Sequence, residues 1–122
     1  MTPALERGMV VRVRLDPGEG REIRKTRPAV IVSNRAACRF DSVIQVVPVT
    51  RLPEYRDLRP YESRVDSPGC GLTKPSRLVA NQIRTVSKGR IHAVLGRLDR
   101  DEQRQLDDAI RIQLALDIVE NS

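Results

Sequence analysis

The chain has 122 residues, 39% of them apolar and 31% charged, with a formal charge of +6. That is one ordinary domain, long enough to bury a core; it excludes a disordered chain and removes the need for a metal or disulfide staple. Cys38 and Cys70 form no CxxC pair, no apolar run reaches membrane-span length, and the first ten residues lack a charged-then-apolar leader pattern, so reduced thiols, a cytoplasmic location and no membrane partner are expected.

In chain order, MVVRVRL (Met9–Leu15) puts Met9, Val11, Val13 and Leu15 on one side and Arg12 and Arg14 on the other, the period of a half-buried strand. DPGEG breaks it, and the loop runs through a cluster of cations to Thr26. At about ten residues it is long for a hairpin connection, and long loops in compact domains are often functional. PAVIVS (Pro28–Ser33) is apolar and β-branched, a strand buried on both sides. Asn34–Ser42 reads as a polar connection. VIQVVPVT (Val43–Thr50) is a third strand, with Pro48 predicting a bulge or strand end near residues 48–50. Arg51–Ser63 is expected as an exposed loop leading to a short strand at Tyr61–Val65, and Asp66–Ser76 as a turn cluster. RLVANQIRTV (Arg77–Val86) and IHAVLGRL (Ile91–Leu98) complete the strands.

The end of the chain changes period. Leu106, Ile110, Leu114 and Ile118 recur every four residues, with Ala109, Ile112, Leu116 and Val119 beside them, an amphipathic helix. Asp99 and Glu102 form a capping-box start. Short strands followed by one helix predict a mostly β fold: a small antiparallel barrel or curled sheet closed by the C-terminal helix, a single domain over residues 1–122.

Charge is unevenly spread. Residues 97–122 hold four Lys/Arg against seven Asp/Glu, leaving eighteen against nine in residues 1–96. A basic body suggests an anionic partner, nucleic acid first, although genome base composition produces the same excess of Arg. No GxxxxGK[ST], GxGxxG or GxSxG is present, and His92 is the only histidine, so nucleotide cradles, histidine acid–base pairs and a serine triad have no support. What remains is Arg27 at a strand mouth, Thr50 near a strand end, a basic loop, and the amides Asn34, Asn81 and Gln82. On residue type alone these also read as a surface cation, a good strand former and solvent-facing amides. Together they suit a phosphodiester: an Arg fork matches phosphate oxygens and a Thr hydroxyl donates to an oxyanion. RNA cleavage by its own 2′-hydroxyl requires no outside nucleophile. Because Arg holds its proton to a pKa above about 12, Arg27 is cast first as charge stabiliser and acid, not as base.

The blocks RGMVVRVRLDPGEGREIRKTRPAVIVSN, VIQVVPVT, GLTKPSRLVANQIRTVSKGRI and VLGRLDRDEQRQLDDAI occur in order from about Arg7 to Leu116 and resemble the MazF/PemK family of toxin–antitoxin mRNA interferases. The resemblance implies a small SH3-like barrel of the MazF/CcdB type, assembled as a homodimer. It also implies metal- and cofactor-independent cleavage of single-stranded RNA at a short sequence, leaving a 2′,3′-cyclic phosphate and a 5′-hydroxyl. The family's catalytic Arg and Thr fall on Arg27 and Thr50. Its mobile loop over the active site falls on Asp16–Thr26, and the family's acidic, partly disordered MazE-like antitoxin displaces that loop. Ser76 and Gln82 match RNA-binding positions; with Arg21, Glu22, Arg24, Lys25, Asn34, Arg51 and Asn81 they make up the expected RNA-binding set. Arg21, Arg51, Pro75 and Asn81 depart from the common pattern and shift local charge in the positive direction, which implies stronger phosphate contact and an altered base preference. Two other readings stay open: a non-enzymatic CcdB-like toxin that binds gyrase and does not need Arg27, and a plain RNA-binding module.

Overall fold

The computed structural model describes residues 4–54 and 56–117. Its strands are β1 (Met9–Arg14), β2 (Thr26–Ile31), β3 (Val43–Arg51), β4 (Glu62–Val65), β5 (Ser76–Val79), β6 (Arg84–Ser87) and β7 (Ile91–Arg97), with helices α1 (Arg35–Phe40) and α2 (Arg100–Leu114). All seven strands join one antiparallel sheet in the order β4-β5-β3-β2-β1-β7, with β6 also pairing β3. This is the expected curled sheet with a C-terminal helix.

The sheet is buried on both faces over its central strands, which explains the near-continuous apolar runs. One core joins Val10, Val30, Val47, Val49, Val65 and Leu78 to Leu98 and Leu106. The other joins Val11, Val13, Leu15, Ala29, Ile31, Ile44 and Val46 to Cys38 of α1. Strict alternation therefore under-read β1: Val10 is fully buried and Met9 only partly.

Four local expectations are corrected. Asn34–Ser42 contains α1, whose start is capped by Asn34 accepting the Ala37 N–H at 2.9 Å. β3 does not end at Pro48 but continues to Arg51. Pro48 pairs with Ala29, while on the other flank β6 covers Val43–Val46 and β5 covers Val49–Arg51. The Gln45 carbonyl accepts from Val32 on the β2 side, so by alternation Pro48 faces the gap between β6 and β5, where no ladder donor is needed. The single strand expected over Arg77–Val86 is two, β5 and β6, separated by a 3₁₀ turn over Ala80–Gln82 that carries the chain from one half of β3 to the other. Finally, α2 ends at Ala115, whose φ of 56° is left-handed, although the apolar spacing continues. Ile118 and Val119 lie outside the described residues.

The capping box on α2 forms as expected, with Asp99 accepting the Glu102 N–H at 2.8 Å and Glu102 accepting the Asp99 N–H at 3.0 Å. Glu102 does more. It is 6% exposed, and its carboxylate also accepts from Asp66 N–H at 2.8 Å, Ser67 N–H at 2.9 Å and the Ser67 hydroxyl. Burial raises its pKa, but these hydrogen bonds outweigh that, and the net shift is downward. The start of α2 is thereby tied to the connection after β4. That connection curls onto β7: a side chain on Gly96 would collide with the backbone of Gly69 and Cys70, and one on Gly71 with the Leu95 carbonyl.

Candidate active site

Two adjacent strands set the centre of the site. The β2–β3 register pairs Ala29 with Pro48, Val30 with Val47 and Ile31 with Val46. The paired stretch ends at Ala29 and Pro48; Arg27 and Thr50 each lie two residues beyond it, and both line one concavity. Arg27 pairs with Val13 of β1 and Thr50 with Arg77 of β5. Each backbone is thus held by a neighbouring strand, although Arg27 is exposed and Thr50 half-buried.

The loop between β1 and β2 borders the same concavity as Arg27 and Thr50. Its neck is closed by Leu15 N–H on the Lys25 carbonyl at 2.8 Å and by Lys25 N–H on Asp16 Oδ1 at 2.9 Å. Lys25 itself takes a left-handed φ of 69°. Arg27 Nε donates to the Arg24 carbonyl at 3.0 Å. That bond orients the guanidinium and leaves its terminal nitrogens without protein partners among the described residues. Gly20, Arg21, Glu22, Ile23, Arg24, Lys25, Arg27 and Thr50 line one concavity of about 380 Å³. Glu22 is the one carboxylate in that lining; its Oε1 accepts the Glu19 N–H at 3.0 Å. The arrangement is four cations, one carboxylate and one hydroxyl around a water-accessible hollow. It can bind an anion, stabilise added charge and exchange a proton.

The other expected site residues are distributed around it. Gln82 reaches the loop and bonds its backbone: Oε1 accepts Ile23 N–H and Nε2 donates to the Arg21 carbonyl, both at 3.2 Å. Asn81, next to it, is exposed. Ser76 pairs with Arg51 across β5 and β3; it is nearly buried, and its hydroxyl donates to the Lys74 carbonyl at 3.0 Å. Arg51 lines a neighbouring hollow of about 600 Å³ with Arg56, Arg64, Lys74 and Pro75. Asn34 is not brought to the site. It caps α1 seven residues beyond Arg27, roughly 20 Å along an extended chain. His92 lies exposed on β7.

Sequence reasoning missed two groups. Arg84 and Arg90 donate to loop carbonyls of Ile23, Pro17 and Asp16. Arg56 and Arg77 converge on the buried carboxylate of Glu62, Arg56 through two bonds of 3.0 Å. Nothing in local sequence flags Glu62, because its partners come from other elements. For Arg84 the signal was its place two residues from Gln82, on the strand that follows.

Comparison with known proteins places the chain in a family. Residues 6–114 match the family model described as PemK-like, MazF-like toxin of type II toxin–antitoxin system. The chain is similar to Endoribonuclease MazF9 of Mycobacterium tuberculosis, 35% identical over 117 residues that cover 92% of this chain and 98% of that protein. It is similar to Endoribonuclease EndoA of Bacillus subtilis at 30% identity, covering 92% and 96%. Its fold overlays on a mycobacterial endoribonuclease solved in complex with its cognate antitoxin, with a TM-score of 0.75, 26% identity and coverage of 93% and 97%. The chain belongs to the PemK-like, MazF-like toxin family of type II toxin–antitoxin systems.

Proposed function

We propose that this protein is a sequence-specific endoribonuclease toxin that cuts single-stranded mRNA in the cytoplasm and arrests translation until an antitoxin neutralises it. The observation that carries this reading is the hollow lined by Arg27, Thr50 and Glu22, in a chain whose curated relatives include two endoribonucleases.

The chemistry follows from what each group can do. RNA brings its own nucleophile. The 2′-hydroxyl attacks the adjacent phosphorus, its proton leaves to a base, the P–O5′ bond breaks, and the departing 5′-oxygen takes up a proton. The products are a 2′,3′-cyclic phosphate and a 5′-hydroxyl, with no metal required. The free nitrogens of Arg27 neutralise the charge on the phosphorane oxygens, and the Thr50 hydroxyl donates to the same oxyanion. Glu22, the carboxylate at this hollow, is the group suited to take the 2′-hydroxyl proton. Arg27 then donates to the leaving oxygen. Arg21, Arg24 and Lys25 supply phosphate contacts, and Ser76, Asn81, Gln82 and Arg51 extend the RNA path. Asn34, tied to α1, has its carbonyl oxygen engaged.

A homodimer is consistent with the exposed Ile112, Leu114 and Leu116 at the end of α2. The net charge of the first 96 residues, eighteen cations against nine acids, favours an acidic antitoxin segment that folds on binding. The test is incubation of the wild-type protein with a long mixed-sequence RNA in EDTA, followed by end analysis. Discrete cuts with 5′-hydroxyl ends are expected. Intact RNA, or cuts that need a divalent ion, overturns the reading.

A further inference from the structure

The buried carboxylate of Glu62 holds two arginines. Arg56 pairs with it through two bonds of 3.0 Å, Nη1 to Oε1 and Nη2 to Oε2, and the Arg59 N–H adds another at 2.9 Å. The Arg56 fork is complete in itself, one guanidinium matched to one carboxylate. Arg77 Nη1 nevertheless donates to the same Oε2. Two guanidiniums on one carboxylate leave one positive charge over. Arg64, which pairs with Arg77 across β4 and β5, is matched by Asp66 at 2.8 Å. The surplus charge is therefore held at Arg77.

Strand register brings that charge to the reaction centre. Arg77 lies directly across from Thr50, so the two side chains share a face with Cβ atoms about 5 Å apart. Arg77 Nε donates to the Arg51 carbonyl at 3.2 Å, one residue past Thr50. The guanidinium thus bridges the end of β3 to the carboxylate on β4 and is fixed at both ends. A hydroxyl turns to suit its surroundings. A cation beside it attracts the oxygen lone pairs and turns the hydrogen away, and a half-buried site screens this less than open water does. With its hydrogen turned outward, Thr50 meets a phosphate oxygen as a donor; with its lone pairs outward it would repel one. We propose that Arg77 is a positioning residue for the Thr50 hydroxyl: its surplus charge sets that hydroxyl as a donor to the reacting phosphate, and the Arg56–Glu62 pair holds the guanidinium in place. The proposal rests on the ribonuclease reading above, in which Thr50 donates to the phosphorane oxyanion.

Two substitutions separate charge from support, and both leave Arg56 on Glu62, so the buried carboxylate is never without a cation. In Arg77→Gln the amide nitrogen stands where Nε stood, which keeps a donor for the Arg51 carbonyl and removes the charge. In Arg77→Lys the charge stays and the Nε donor is lost. The assay is cleavage of a short single-stranded RNA with one cut site, resolved into kcat and KM, beside the urea midpoint of each protein. Arg77→Gln should lower kcat on the order of tenfold with KM nearly unchanged, the size of effect a flanking charge exerts at a partly screened site. Arg77→Lys should retain most of the wild-type kcat. Because Arg77 acts through the hydroxyl, adding Arg77→Gln to Thr50→Ala should slow that variant by less than about twofold. Undiminished kcat in Arg77→Gln, equal losses in the glutamine and lysine variants, the same loss on the Thr50→Ala background, or a fall in kcat that tracks a lowered urea midpoint overturns this proposal even if the wild type cuts RNA. A wild type that leaves RNA intact overturns the ribonuclease reading, and this proposal with it.

Discussion

Glu102 offers the sharpest test of how α2 is held. Its buried carboxylate accepts from Asp66 N–H, Ser67 N–H, the Ser67 hydroxyl and Asp99 N–H. Glu102→Ala removes every acceptor at once and leaves two peptide N–H groups after β4 without partners. At about 1–3 kcal/mol for each orphaned donor, plus about 1 kcal/mol for the broken capping box, the loss is about 3–7 kcal/mol. That is a large part of the 5–15 kcal/mol by which a typical domain is folded. Glu102→Gln should cost less, about 1–2 kcal/mol. Its carbonyl oxygen can still serve Asp66 and Ser67, its amide can donate to the rotated Ser67 hydroxyl, and only the Asp99 contact and the negative charge are lost. Because the folded-state pKa of Glu102 is lowered below 4.5, its contribution is fully present above that value. It is lost as pH falls below 4.5 and through the folded-state pKa. Urea unfolding at fixed protein concentration, repeated from pH 7 down to about pH 3, measures all of this. The wild type should lose its advantage over Glu102→Gln in that acid window. An alanine variant within 1 kcal/mol of wild type, or a glutamine variant as costly as alanine, would refute the reasoning.

Three further outcomes follow from packing. Gly96→Ala should lower the urea midpoint markedly, because the added methyl meets the backbone of Gly69 and Cys70 rather than a yielding side chain. Ser63 buries a hydroxyl without a hydrogen-bond partner among the described residues, so Ser63→Ala should be neutral or slightly stabilising in the same assay; a loss above about 1 kcal/mol would contradict it. Cys38 is buried, and that burial pushes its thiol pKa up. A thiol reagent should modify it at the rate of unfolding, and fast labelling of the native protein would show the α1 packing to be wrong.

Much of the fold was legible in the sequence because it rests on periodicity and capping chemistry, which are local. β1, β2, β3, β7 and the start of α2 carry such signals. Helix α1 does not: six residues hold too little periodicity to read, and its N-cap, Asn34, looks like any polar loop residue. The break between β5 and β6 is invisible for a different reason. Arg77–Val86 is apolar and polar in the proportions of a strand, and only the need to switch partners along β3 bends it at Ala80–Gln82. The end of α2 likewise depends on the left-handed turn at Ala115, not on spacing. At the site, Arg27 and Thr50 stood out through their strand positions and through the resemblance, and they line one hollow. The bonds of Arg84 and Arg90 to the β1–β2 loop were not legible, because their acceptors are backbone carbonyls 61 to 74 residues away.

The measurement closest to the central claim is primer extension on a long mixed-sequence RNA after incubation in EDTA with wild-type protein, Arg27→Ala and Thr50→Ala. The account predicts discrete cuts by the wild type and none by Arg27→Ala. It predicts cuts by Thr50→Ala slowed on the order of a hundredfold, as for loss of one oxyanion donor. All three proteins should keep the same unfolding midpoint. Undiminished cutting by a folded Arg27→Ala protein would contradict it.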